Sequence, residues 1–472
     1  MIHILVRSCI LYLIVLGFAF STYAQNKKPN ILFCIADDAS YQHFGANGCK
    51  WIKTPNFDRI AKEGLLFKNA YTPNAKCAPS RANILMGRNS WQLEELGNHL
   101  AYWPGRYKTV WESLLASGYQ TGYTGKGWAP GIAMSIQGKP HELTGKAYQA
   151  KKLNPPTSAI STNDYAANFE QFLNDNKATQ PFIFWVGSTE PHRAYEYGSG
   201  QKVGGKSLKS IDKVYDFWLD NDSVRNDMLD YALEIEHFDQ QLGKMLALLE
   251  KKGQLNNTLI IVTSDNGMPF PRIKGMEYEF SNHMSMAMMW KQGIKNPGRV
   301  INDYISFIDL APTFRDISGT TKPTDQYNKQ QVRSLTSIFN SAKAGQVDAK
   351  RDYVLLGQER HDVGHPNEVG YPIRSIIKNG MMYIHNFEPD RWPAGNPETG
   401  YLNTDGGPTK TTIISANRQN PGKNKYWQLN FGKRIIEELY NIKWDPQCLV
   451  NLASRPEYAQ TIAGLKINFL QN

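Results

Sequence analysis

Cys77 opens the segment Cys77-Ala78-Pro79-Ser80-Arg81-Ala82-Asn83-Ile84-Leu85-Met86-Gly87-Arg88. Pro79 suits the first turn of a helix running to about residue 86, where a missing N–H costs nothing. A cysteine at that N-terminus meets unpaired N–H groups that favour an anion, which makes it a candidate nucleophile. Arg81, about one turn further along the same face, can reach back toward it. A cysteine that merely fills a buried space is the ordinary alternative. Asp37-Asp38 and Asp265-Asn266 add carboxylate and amide oxygens with no thiol or imidazole among them. Such a set favours a hard cation, Ca²⁺ or Mg²⁺, over zinc. Asp265-Asn266-Gly267 also reads as plain turn punctuation. The adjacent pair Asp37-Asp38 is harder to explain that way, because its like charges repel until a cation relieves them.

These residues need elements to hold them, and the sequence supplies a consistent set. The run 31–36 (ILFCIA) has the continuous apolar character of a buried strand and leads into Asp37-Asp38. Residues 120–124 lead into Gly125-Lys126, 182–186 into Glu190-Pro191-His192-Arg193, and 259–263 into Ser264-Asp265-Asn266. Thr54-Pro55 signals a helix start with a cap and a first-position proline, closed by Gly64. Residues 228–249 carry apolar side chains at helical spacing. Alternating strands and helices predict an α/β domain with a largely parallel sheet. Ligands of such sheets bind beyond the carboxyl ends of the strands, so the four polar loops should converge. After Gly345 the texture changes. Residues 353–357, 373–378 and 381–386 read as short strands and 459–470 as a closing helix, a smaller antiparallel α+β domain. The expected division is 1–24, 25–345 and 346–472.

The chain has 472 residues, 41% of them hydrophobic and 20% charged, which is ordinary for a globular protein and excludes a disordered or fibrous one. Arg7, the apolar run 9–20 and Ser21-Thr22-Tyr23-Ala24 predict a secretory signal cleaved near Ala24, followed by an exported, periplasmic or secreted protein. That run is too short for a comfortable membrane span, so no integral membrane association is expected. The formal charge of +10 falls to +9 without Arg7 and suits an anionic partner: nucleic acid, a membrane surface, or a sulfated or phosphorylated substrate. Of five cysteines, Cys34, Cys49, Cys77 and Cys448 lie beyond the leader, with no metal-type spacing.

The pattern Cys77-x-Pro79-Ser80-Arg81 followed by Leu85-x-Gly87-Arg88 resembles the signature of formylglycine-dependent sulfatases. Asp37-Asp38, Lys126, His192 and Asp265-Asn266 stand in that family's order, and the resemblance spans residues 28–470. Ser264-Asp265-Asn266-Gly267-Met268-Pro269-Phe270-Pro271 and the Glu190–Arg193 turn are most similar to the branch containing heparan N-sulfatases and bacterial polysaccharide sulfatases. The resemblance implies an alkaline-phosphatase-like α/β fold, a sulfated polysaccharide or oligosaccharide as substrate, and no nucleic-acid partner. It implies that a maturation enzyme oxidises Cys77 to formylglycine, whose hydrate attacks sulfur in line and later expels sulfate. Asp37, Asp38, Asp265, Asn266 and the converted Cys77 would then surround Ca²⁺ or Mg²⁺. Arg81 would support the nucleophile, and Lys126 with Lys274 would neutralise sulfate oxygens. Arg272 competes with Lys274 for that place. His192 would bind sulfate or protonate the leaving group.

One departure stands out. Many sulfatases carry a histidine two residues after the equivalent of Lys126, and here Trp128 occupies that place, leaving His99 as one substitute. Glu359, Arg360, His361, His365 and Arg374, with Arg193, are expected to contact sugar hydroxyls or a second anionic group, or else to form a solvated loop. Two competing readings are a phosphonate or phosphate monoester hydrolase of the same superfold and an inactive carbohydrate-binding homologue. The histidine-poor oxygen set disfavours a two-zinc phosphatase. Retention of Asp37, Asp38, Arg81, Lys126 and His192 together disfavours an inactive protein.

Overall fold

The computed structural model describes residues 28–470, apart from 136, 178, 321–331, 364 and 400–402. The expected leader over 1–24 lies outside the described residues. Strand β1 (Asn30–Ala36) is buried along its whole length. Its side chains alternate, Leu32, Cys34 and Ala36 entering one core and Ile31, Phe33 and Ile35 the other. That is the period-2 geometry of a strand covered on both faces, which a continuous apolar run requires.

Around β1 lie β2 (Leu65–Tyr71), β3 (Gln120–Gly125), β4 (Lys146–Ala147), β5 (Phe182–Gly187), β6 (Thr258–Ser264), β7 (His283–Met289) and β8 (Arg299–Ser306). They form one sheet in the order β8-β2-β7-β6-β1-β5-β3-β4. Only β7 runs against its neighbours β6 and β2. Register brings the carboxyl ends level: Ala36 pairs with Ser264, Ile35 with Gly187, and Gly125 with Gly187. The loops carrying Asp37, Lys126, Glu190 and Asp265 therefore leave the sheet along one edge.

Helices cover both faces. α1 (Pro55–Glu63), α3 (Tyr165–Asp175) and α4 (Asp222–Lys251) pack on one core, and α2 (Cys77–Met86) and α5 (Leu310–Ser318) on the other. α4 extends beyond the apolar repeat because Asn221 accepts a hydrogen bond from the Val224 N–H and caps it. The expected cap on α1 is corrected. Thr54 precedes the helix but makes no capping hydrogen bond, its hydroxyl instead donating to Asp58 and accepting from the Gly45 N–H. Gly64 does follow α1, and its smallness serves a close approach, since a Cβ there would lie 2.0 Å from the Met288 carbonyl oxygen.

The second sheet is antiparallel: β9 (Tyr353–Gln358), β10 (Ile373–Lys378), β11 (Met381–Asn386) and β12 (Glu437–Asn441) in that order. One face packs with Tyr71, Met276 and Tyr278 of the preceding chain. The other is closed by Ile462 and Leu465 of the terminal helix Ala459–Leu470. The α/β region with a smaller antiparallel α+β region is the expected fold.

Candidate active site

Cys77 is the first residue of α2 and fully buried. Its Sγ lies 3.3 Å from Asp37 Oδ1 and 3.7 Å from Asp38 Oδ1. Arg81, one turn on and equally buried, places Nε and Nη2 each 2.9 Å from Asp265 Oδ2. Its Nη1 donates to the carbonyls of Lys126 and Gly127. The head of α2 is thus tied to the ends of β3 and β6. The Asp38 N–H donates to Asp265 Oδ1 at 3.0 Å, and the Asp37 N–H to the Glu190 carbonyl at 3.1 Å. Asp38 holds φ = 73°, a left-handed geometry fixed by these contacts.

Two lysines approach the acidic pair. Lys126 Nζ lies 2.6 Å from Asp37 Oδ2, and Lys274 Nζ lies 2.6 Å from Asp38 Oδ2 and 2.7 Å from Asp405 Oδ2. His192 Nδ1 donates to the Arg193 carbonyl, an oxygen that can only accept, so Nε2 is left open toward Asp38 and Asp405 at 3.9 and 4.0 Å. Burial alone would raise the Asp37 carboxyl, but Lys126, Arg81, His192 and Lys274 hold it well below the carboxylate range. Burial and then Asp37 push Asp265 up to about 7, and the same two causes push the Cys77 thiol well up. Burial works against the Lys274 charge, yet Asp38 and Asp405 keep it firmly protonated.

The donors suit a hard cation. Asp37, Cys77 and Asp265 each direct a ligand atom to within 4.8 Å of the others. Asn266 donates through Nδ2 to Asp38 Oδ1 at 2.7 Å, which leaves its Oδ1 buried without a partner. An orphaned buried oxygen beside three carboxylates is what an oxygen-liganded cation would satisfy.

The convergence expected of Asp37, Asp38, Cys77, Arg81, Lys126, His192, Asp265, Asn266 and Lys274 is observed. Lys274, not Arg272, reaches the centre, since Arg272 turns away to the carbonyls of Leu429 and Cys448. Trp128 donates Nε1–H to the Ala78 carbonyl at 3.1 Å and so braces α2. An open cleft of ≈ 510 Å³ above the centre is lined by Lys76, His99, Leu100, Lys126, Ala129, Pro130, His192, Lys274, Asp362, Val363 and Asp405.

None of the six residues expected to touch sugar is in this lining. Arg193 is held in a bidentate pair with Asp227 at 2.7 Å and stacks over Phe270. Glu359 and Arg374 pair with each other, and Arg360 bonds the Asn98 side chain through its N–H. His361 is fully buried on Asn74, and His365 is buried nearby. Their neighbour Asp362 takes the wall position instead, gripping Lys76 at 2.8 Å and the His99 ring. Burial leads in lowering His99 to about 4, against Asp362, so the ring is neutral near pH 7. Sequence reasoning missed Lys76 and Asp405. Lys76 adjoins Cys77 and was open to suspicion on that ground, whereas nothing near Asp405 marked it.

The Sulfatase family matches residues 29–320, and the chain belongs to that family. It is a sulfuric ester or sulfamate hydrolase. Human N-sulphoglucosamine sulphohydrolase is 26% identical over 490 residues, covering 98% of this chain and 92% of the relative. An ulvan-active sulfatase of Formosa agariphila is 26% identical over 453 residues, covering 92% and 78%. A solved structure of a protein in complex with its substrate D-glucosamine-2-N,6-O-disulfate matches with TM-score 0.65 at 20% identity, covering 94% of this chain and 97% of that one. No helix among the described residues is long and apolar enough to cross a membrane.

Proposed function

We propose that this protein hydrolyses sulfate from a sulfated glycosaminoglycan or algal polysaccharide fragment, with Cys77 working as formylglycine. The observation that carries the reading is the burial of Cys77 at the α2 N-terminus, against Asp37 and Asp38 and one turn from Arg81. A buried thiol held protonated is a poor nucleophile, which favours conversion of this side chain. The converted residue would supply the oxygen nucleophile, and Ca²⁺ or Mg²⁺ held by Asp37, Asp38, Asp265 and Asn266 would polarise a sulfate oxygen.

The remaining work falls to the protein's own side chains. Arg81 fixes the nucleophile's position because Asp265 and two carbonyls leave its guanidinium no freedom. Lys126 and Lys274 present fixed positive charge where the transferring group gains negative charge. His192, with Nε2 open to the cleft, is placed to bind sulfate or, when the ring carries a second proton on Nε2, to pass that proton to the departing sugar oxygen or nitrogen. Trp128 cannot act as a base, and His99 is the neutral imidazole lining the cleft. The human relative's name favours an N-sulfated glucosamine and the Formosa relative's an algal chain. The apolar run after Arg7 supports export, and conversion of Cys77 requires a maturation enzyme. Mass spectrometry of the Cys77 peptide from active protein tests the reading: the aldehyde is expected, and a fully active protein with an intact thiol would overturn it.

A further inference from the structure

We propose that Asp405 selects the substrate by accepting a hydrogen bond from the hydroxyl or amine next to the reacting sulfate on the sugar, and by repelling a second sulfate there. This rests on the sulfatase reading above. Asp405 lines the same cleft as Lys126, His192 and Lys274. Its Oδ2 contacts Lys274 Nζ at 2.7 Å and faces His192 Nε2 at 4.0 Å. A sulfate held by Lys274 therefore brings the neighbouring ring substituent to the Asp405 carboxylate. A carboxylate only accepts, so it welcomes a hydroxyl or ammonium and opposes an anion.

The charge around the cleft agrees independently. Among the described residues that line it there is no arginine, and each lysine already faces a carboxylate: Lys76 faces Asp362, Lys126 faces Asp37, and Lys274 faces Asp38 and Asp405. The cationic groups suffice for one sulfate and leave none for a second. Specificity here comes from a repulsive element as much as from an attractive one.

The test compares kcat/KM for glucosamine N-sulfate with the N,3-O-disulfate, and for N-acetylgalactosamine 6-sulfate with the 4,6-disulfate, in the native protein and Asp405→Asn. The native protein should favour the monosulfated member of the pair it hydrolyses, and Asp405→Asn should narrow that preference by about tenfold. An equal loss on both members would show that Asp405 merely holds Lys274 and would overturn the proposal. A native preference for the disulfated member would overturn it as well. If the native protein released sulfate from none of these or from ulvan oligosaccharides, the functional reading itself would fail. Calorimetric binding of the same pairs to both proteins would then decide the role of Asp405, unchanged relative affinity counting against it.

Discussion

At the scale of single residues, the centre is a set of buried charges, each answered by another. Lys274 sits between Asp38 and Asp405 while Arg272, two residues earlier, serves packing. Lys274→Ala should lower kcat by about 10²–10³, the loss seen when one oxyanion donor is removed. Arg272→Ala should instead reduce stability and leave kcat of the folded fraction nearly unchanged. Steady-state kinetics with urea unfolding of both variants separates the two roles. Behind the Cys77 loop, burial pushes Glu277 up to about 8 from an ordinary 4.5, while Asn282 and the Ala75 N–H oppose that rise. The folded protein keeps a proton that the unfolded chain loses, so this contribution to stability is whole below pH 4.5 and disappears as pH rises to about 8. The Tm of Glu277→Gln should gain on the native protein across that window, and parallel Tm curves would contradict the assignment. The residues that gather at the centre were legible where a motif or a strand end announced them, as with Cys77, Arg81, Lys126 and Asp265. Asp405 was not, because the Asp405-Gly406-Gly407 stretch reads as a loop and meets the site only through tertiary folding.

Among the elements, the parallel strands bring their loops to one edge, and close backbone contacts hold that edge. A Cβ on Gly187, the last residue of β5, would lie 1.7 Å from the Lys126 carbonyl oxygen. That oxygen also accepts from Arg81 Nη1 at 2.8 Å and from Trp185 Nε1 at 2.9 Å. Gly187→Ala should therefore displace Lys126 and cost about 10²-fold in kcat/KM, as a misplacement near 1 Å does. Near-native kinetics in a folded variant would count against this positioning. Strands β1, β5 and β6 were readable from their apolar runs. β7 (HMSMAMM) was not, since methionine is a good helix former and carries no β-branch. β8 does alternate buried and more exposed residues, but its polar Asn302 and Asp303 obscured the period.

For the whole molecule, the second sheet is not a separate body. Its Val354, Leu356 and Ile373 share a core with Tyr71, Met276 and Tyr278. Buried Arg351 pairs with Asp309 at 2.7 Å, and Asn403 and Asp405 reach Lys76 and Lys274. The two regions should unfold together, with far-UV and near-UV circular dichroism giving one midpoint in urea. Separate midpoints would show that the shared core does not couple them. The change of texture after Gly345 revealed a second region, but not this dependence, because shared burial is set by contacts distant in sequence. Two of the lysines counted in the composition lie at the centre, Lys126 against Asp37 and Lys274 against Asp38 and Asp405. The role of Cys77 is decided by measuring sulfate released from N-sulfated glucosamine and ulvan oligosaccharides by matured protein and by Cys77→Ala. Matured protein should release sulfate and a folded Cys77→Ala variant should lose about a thousandfold or more; comparable release by Cys77→Ala would show that Cys77 is not the nucleophile.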